Sequence, residues 1–148
     1  MFQGKFIHNI DTKGRVSIPV KFREIITERH DNMLVLTNHI DKCIVAYPPD
    51  EWEMIIEKIK ALPMKKEVRF FQRHFISAAM EGELDRQGRI LIPPALRNYA
   101  ELNKEVCIVG LGSKIEIWDR KKWDKSMMLE GKEEDKDRIM DVLADLGI

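Results

Sequence analysis

The pattern of apolar and polar positions is nearly the same in the two halves of the chain. Apolar positions at Phe6 and Ile10 return 74 positions later at Met80 and Leu84, and both pairs have the period of a half-buried strand. In each half a short apolar stretch ends at a proline, which cannot donate a hydrogen bond within a sheet, and apolar residues then follow at helical spacing. Each half therefore predicts strand, turn, strand, short helix, strand, turn, strand and helix, which is an α+β arrangement.

One motif carries most of the repetition. DTKGRVSIPVKFR at residues 11–23 returns as DRQGRILIPPALR at residues 85–97. A further match joins MLVLTNHIDKCIVAYPPDEW to EVCIVGLGSKIEIWDRKKW, and GLGS in the second segment is a hairpin turn signal. We therefore divide the chain into a first repeat at 1–53, connecting helices at 54–79, a second repeat at 80–124 and a C-terminal helical acidic tail at 125–148.

Apolar stripes at helical spacing predict further helices. One stripe, ended by Pro63, comprises Trp52, Ile55, Ile56, Ile59 and Leu62, and the next comprises Val68, Phe71, Phe75 and Ala78. Such stripes usually face a core, and a ligand pocket is the alternative. After Gly131, a third stripe lies on an acidic segment and either docks on a neighbour or frays; it comprises Ile139, Val142, Leu143 and Leu146.

Composition places the chain among folded globular proteins, since 44% of its 148 residues are hydrophobic and 34% are charged. No apolar run approaches the ~18 residues of a membrane span, and the N-terminal residues lack the apolar core of a signal peptide. We therefore expect a cytoplasmic protein with no membrane partner. Cys43 and Cys107 form no CxxC motif and the histidines lack zinc-site spacing, so no metal or cofactor is assigned.

Charge is distributed unevenly along the chain, although the formal net charge is zero. Residues 1–29 carry six basic and three acidic side chains, whereas residues 130–148 carry seven acidic and three basic ones. A zero net charge on its face argues against a nucleic-acid partner, but the distribution matters more. A basic head and an acidic tail that cancel in the sum still allow one positive face.

The repeated motif contains turn residues. An aspartate side chain can accept hydrogen bonds from backbone amides two residues on, and glycine supplies the positive φ that a tight connection needs. This combination occurs at Asp11 with Gly14 and at Asp85 with Gly88. The simplest interpretation of these four residues is structural, with the aspartate also able to orient a neighbouring arginine.

Arg15 and Arg89 follow these turns at the start of a strand, so each guanidinium projects from a fixed place. Such a planar fork suits phosphate or the O6 and N7 atoms of guanine. The alternative is an ion pair to the aspartate four residues back, and both interpretations can hold together. The other basic residues of interest are Lys13 and Arg86, expected to be exposed in the turns, and Arg23 and Arg97 on the helices, for which pairing with acids is the structural alternative.

The segments DTKGRVSIPVKFR, DRQGRILIPPALR, YPPDEW and WDRKKW, in this order, resemble the MraZ family of bacterial transcriptional regulators, within the AbrB-like swapped-hairpin barrels. The resemblance covers nearly the whole chain and implies two tandem AbrB-like β-barrel halves forming an internal pseudo-dimer, with intervening and C-terminal helices. It also implies a ring of about eight or more subunits, bound to double-stranded DNA at repeated short sites ahead of the division and cell-wall gene cluster, with nucleoid association. We assign DNA binding to Lys13, Arg15, Arg86 and Arg89, and turn formation and orientation to Asp11, Gly14, Asp85 and Gly88.

Two function classes stay open on the sequence. The first is a sequence-specific DNA-binding transcriptional regulator, and the second is an oligomeric protein-interaction scaffold that binds a partner enzyme. Steep loss of nucleic-acid binding with salt favours the first, and salt-insensitive capture of a partner protein favours the second. An enzyme is not expected, because no Ser/His/Asp, Cys/His or phosphate-loop constellation stands out.

Overall fold

A computed structural model describes residues 1–130 and 133–148 of the chain, so the predicted break at Gly131 lies outside the described residues. The order of strands and helices in each half confirms the predicted repetition. The elements are β1 Phe2–Asn9, β2 Arg15–Ser17, α1 Val20–His30, β3 Met33–Asn38, β4 Ile44–Tyr47, α2 Pro49–Lys60, α3 Lys66–Phe75, β5 Met80–Glu83, β6 Arg89–Leu91, α4 Pro94–Ala100, β7 Glu105–Gly112, β8 Ile115–Asp119, α5 Arg120–Glu130 and α6 Glu133–Asp145.

The strands form one antiparallel six-stranded sheet, in the order β1-β7-β8-β4-β3-β5, and a separate two-stranded ribbon of β2 and β6. The hairpins β3–β4 and β7–β8 meet at the centre of the sheet, where Val45 pairs with Glu116. Outside these hairpins, each pairing of two strands joins one repeat to the other. The sheet is open, with β1 and β5 at its edges, so it does not close into a barrel.

The main core lies between one face of the sheet and a layer made of the ribbon, α1 and α4. Alternate residues of the central strands face this core, and Ile44, Ile108 and Ile117 are fully buried. Val16 and Ile90 of the ribbon close the core from the other side. Burying an apolar side chain of this size contributes roughly 1.5–3 kcal/mol, so the core ties the ribbon firmly to the sheet.

The opposite face of the sheet is covered by helices. Cys43, Cys107, Val109 and Trp118 form one buried cluster beside Trp123 of α5, and a second cluster of Val45, Tyr47, Ile59 and Phe75 lies beside α2 and α3. The predicted stripes of α2 and α3 therefore do pack into a core. They also line an apolar cavity of about 260 Å³, and Leu62, beyond the end of α2, is 47% exposed.

Helix α6 carries its predicted apolar stripe largely in solvent. Ile139, Val142 and Leu146 are 50%, 58% and 67% exposed. The stripe is therefore available for contact with another surface. No helix in residues 1–130 or 133–148 has the length and apolar character that spanning a membrane requires.

Candidate nucleic-acid interface

The candidate interface is the outer face of the ribbon formed by β2 and β6. At its centre Val16 pairs with Ile90, and both side chains point into the core with no exposed surface. Because successive side chains of a strand alternate between faces, the neighbouring Arg15 and Arg89 lie on the outer face. Leu91, which pairs with Arg15, is 56% exposed on the same face. The ribbon thus presents one arginine near each end of its outward side.

In the turn that precedes β2, the Asp11 carboxylate accepts three hydrogen bonds, two of them from Arg15. Oδ1 of Asp11 accepts from the backbone amides of Lys13 at 3.0 Å and Arg15 at 2.8 Å, and Oδ2 accepts from Arg15 Nε at 2.7 Å. Gly14 completes the turn with a φ of +86°. The backbone amide of Arg15, followed by its guanidinium, holds the pKa of Asp11 below its ordinary value. The predicted turn therefore forms, and so does the ion pair that was the alternative interpretation of Arg15.

The turn that precedes β6 repeats this geometry. Oδ1 of Asp85 accepts from the amides of Gln87 and Arg89, each at 2.9 Å, and Oδ2 accepts from Arg89 Nε at 2.8 Å. Gly88 has a φ of +73°. The amide and guanidinium of Arg89 likewise lower the pKa of Asp85. Each ion pair engages Nε, so the terminal Nη atoms are the remaining donors of each oriented guanidinium.

Each turn is also tied to the other repeat. The amide of Ile18 donates to the carbonyl oxygen of Gly88 at 3.0 Å, and the amide of Ile92 donates to that of Gly14 at 2.8 Å. These reciprocal bonds extend the ribbon at both ends. They fix the spacing between the two arginines, because neither turn can shift without breaking a bond to the opposite strand.

Arg23 and Arg97 cross from their helices onto the turn of the other repeat. Nη1 of Arg23 donates to the carbonyl oxygen of Gln87 at 3.1 Å, and its side chain covers Gly88. Arg97 covers Gly14 in the same way, so that a Cβ added there would lie 2.7 Å from Arg97 Cζ. Neither arginine forms an ion pair with any described residue, so the interpretation that they pair with acids is wrong. Their buried Nε atoms have no hydrogen-bond partner among the same residues.

The basic side chains around the ribbon outnumber the acids there. Lys13 and Arg86 are exposed in the two turns, as the sequence predicts. A cleft of about 550 Å³ opens beside the second turn, where Glu24 and Glu28 of α1 face Arg86. The neutral chain therefore has a positive ribbon face that is bounded by acids on one side.

A group of side chains that could bind a metal ion lies on the helix-covered face of the sheet. His39, Cys43 and Glu116 place one donor atom each within 4.8 Å of one another. Burial raises the pKa of the Cys43 thiol, and it raises that of Cys107 to about 11. This group could not be predicted from the sequence, because Glu116 comes from the other repeat. The short spacing from His39 to Cys43 was the only local signal within it.

Comparison with known proteins adds a family match. The family model described as "MraZ protein, putative antitoxin-like" matches residues 1–74 and 75–140. Among solved structures, the solution structure of PHS018 from Pyrococcus horikoshii is 14% identical, covers 79% of this chain and 88% of its own, and has a TM-score of 0.35. Similarity at that level supports no conclusion about fold or function.

Proposed function

Because the chain belongs to the MraZ family, we propose that it is a transcriptional regulator that binds double-stranded DNA through the outer face of the β2–β6 ribbon. The observation that carries this proposal is the position of Arg15 and Arg89 on one outward face, each held by an aspartate. The major groove of B-DNA is wide enough for a two-stranded ribbon, and arginine there can bind guanine O6 and N7 with two hydrogen bonds.

The residues around the ribbon have different roles in binding DNA. Arg15 and Arg89 contact base edges or phosphates, and Lys13 and Arg86 contact phosphates from the exposed turns. The two aspartates orient the arginines before DNA arrives, so little side-chain freedom is lost on binding. Arg23 and Arg97 support the turns by packing, because Arg23 lies across Gly88 and Arg97 lies across Gly14.

The finer features follow from the family resemblance. The pairing of β1 with β7 and of β5 with β3 joins the two repeats and supports an internal pseudo-dimer, in which the main sheet stays open. Such protomers assemble into a ring of about eight or more subunits that binds repeated short sites, where linked weak contacts gain affinity through high effective concentration. The targets are the division and cell-wall gene cluster and the protein's own operon, in the cytoplasm at the nucleoid.

The experiment measures binding of labelled DNA from upstream of the protein's own gene by fluorescence anisotropy at several salt concentrations. Arg15→Ala and Arg89→Ala should each weaken binding while far-UV circular dichroism stays unchanged. A bidentate contact to a base contributes roughly 1–3 kcal/mol, or about 5- to 150-fold in affinity. Lys125→Ala is the matched control, since it removes one exposed positive charge from α5 on the far side of the sheet.

Arg15→Lys separates charge from geometry. Lysine keeps the positive charge but lacks the planar fork, so a base contact should be lost and a phosphate contact largely kept. If the arginines touch phosphate, the double variant Arg15→Ala/Arg89→Ala should also have a shallower slope of log affinity against log salt concentration. Wild-type affinity in both single alanine variants would exclude the ribbon as the DNA-binding face.

An oligomeric protein-interaction scaffold is the second candidate function. The observation in its favour is the exposed apolar face of α6, with Ile139, Val142 and Leu146 each at least half exposed. Capture of a partner protein that persists at high salt, together with DNA binding too weak to measure, would favour this function. Light scattering at micromolar concentration tests the assembly that both functions share, and a monomer would contradict it.

A further inference from the structure

Three potential metal ligands come together where the first repeat meets the second. His39 and Cys43 flank the turn of the β3–β4 hairpin, where the His39 amide donates to the carbonyl oxygen of Cys43 at 2.9 Å. Two residues further on, Val45 pairs with Glu116 of β8. Since side chains alternate along a strand, Cys43, Val45 and Glu116 lie on the same helix-covered face of the sheet.

The donor atoms of His39, Cys43 and Glu116 lie within 4.8 Å of one another. Zinc bonds of about 2.0–2.3 Å in a tetrahedron separate ligand atoms by roughly 3.3–3.8 Å. The three donor atoms therefore reach one zinc ion after closing by about 1 Å, a movement that we assign to the partly exposed His39 side chain. The His39 side chain is 29% exposed and offers a path for an ion from solvent.

Two acids, Glu116 and Asp41, and one base, Lys114, surround the Cys43 thiol. Glu116 is 8% exposed, yet it belongs to none of the ion pairs among the described residues. The indole Nε1 of Trp118 donates to Glu116 Oε1 at 2.9 Å and orients the carboxylate. Nδ1 of His39 accepts a hydrogen bond from the Asp41 amide at 3.1 Å, and the Asp41 carboxylate lies 3.4 Å from the same nitrogen, so Asp41 orients the imidazole ring.

We propose that His39, Cys43 and Glu116 form a binding site for a divalent transition-metal ion of the zinc type. Thiolate, imidazole and carboxylate together suit such an ion better than calcium or magnesium, which prefer oxygen ligands alone. Water takes the fourth position, and the Cys43 thiol releases its proton to solvent as the metal–sulfur bond forms. The ion links the β3–β4 turn of the first repeat to β8 of the second.

The first test titrates the metal-free 148-residue chain with Co²⁺ and follows thiolate-to-cobalt charge-transfer absorption, then displaces Co²⁺ with Zn²⁺. We expect one equivalent per chain. Cys43→Ser should abolish the absorption, and His39→Ala should weaken Zn²⁺ binding by more than about 100-fold, the upper range for loss of a second-shell partner. Cys107→Ser is the matched control, because it removes a buried thiol from the same cluster and should leave Zn²⁺ binding unchanged.

A second test measures thermal unfolding with and without Zn²⁺. An ion that binds only the folded chain raises the melting temperature, so wild type and Cys107→Ser should shift upward and His39→Ala should not. His39 is only partly buried, so this variant is expected to fold. The proposal is overturned if wild type shows no charge-transfer band or if Cys43→Ser keeps it. It is also overturned if Cys43→Ser and Cys107→Ser lose Zn²⁺ affinity equally. None of these measurements depends on DNA binding.

Discussion

Replacing Gly14 with alanine tests whether Arg97 supports the turn of the other repeat. Gly14 has a φ of +86°, a conformation that costs a residue with a side chain about 1–2 kcal/mol. The new Cβ would also lie 2.7 Å from Arg97 Cζ and 2.9 Å from both Nε and Nη1. Moving the flexible guanidinium aside costs about 0.5–1.5 kcal/mol in rotamer strain. We therefore expect Gly14→Ala to lower the free energy of unfolding by roughly 1.5–3.5 kcal/mol.

Gly112→Ala is the matched control for the backbone part of this loss. Gly112 has a φ of +80°, and a Cβ built there meets no atom within 4 Å. Gly112→Ala should therefore lose only the backbone contribution, about 1–2 kcal/mol. In an Arg97→Ala background the collision at Gly14 is absent, so Gly14→Ala should there cost no more than Gly112→Ala.

Urea unfolding followed by far-UV circular dichroism measures the stability of wild type, Gly14→Ala, Arg97→Ala and the double variant, with Gly112→Ala beside them. All are compared at one protein concentration, because assembly changes apparent stability. DNA affinity of the folded variants is the second readout, and it should fall for Gly14→Ala and stay unchanged for Gly112→Ala. Additivity of Gly14→Ala and Arg97→Ala within roughly 0.3–0.5 kcal/mol would refute the contact.

Three further predictions concern acid stability, thiol reactivity and the tail. The pKa of Asp11 and of Asp85 is lower in the folded chain than the ordinary 3.8, so their stabilisation is complete above that value and is lost as pH falls through the folded pKa. Asp11→Asn with Asp85→Asn should flatten the acid limb of an unfolding profile, and an unchanged limb would contradict this. Because burial raises the pKa of both Cys43 and Cys107, metal-free protein at about pH 8 should react with iodoacetamide only after unfolding, and rapid labelling of the native chain, followed by mass spectrometry, would show otherwise. Deleting residues 131–148 should leave DNA affinity equal or higher at low salt, with the difference fading at high salt; a soluble, oligomeric truncation that no longer binds DNA would mean the tail belongs to the site.

The sequence alone was enough to predict features whose partners lie within about five residues of each other. The aspartate turns, the positive φ of Gly14 and Gly88, and the ion pairs of Arg15 and Arg89 all have this property. Hydrogen bonds between i and i+4 depend on little beyond local backbone geometry. The order of strands and helices was equally predictable, because proline, glycine and apolar spacing act locally. Each of these signals also occurs in both repeats.

Only the tertiary structure decided which surfaces meet. The roles of Arg23 and Arg97 could not be read locally, since each packs on a turn more than 60 residues away in the other repeat. Glu116 likewise joins His39 and Cys43 because β8 pairs with β4. Burial of both sheet faces selects these pairings, and burial is a property of the whole chain. For the same reason, the apolar stripe of α6 could be predicted from its helical spacing, whereas its exposure to solvent could not.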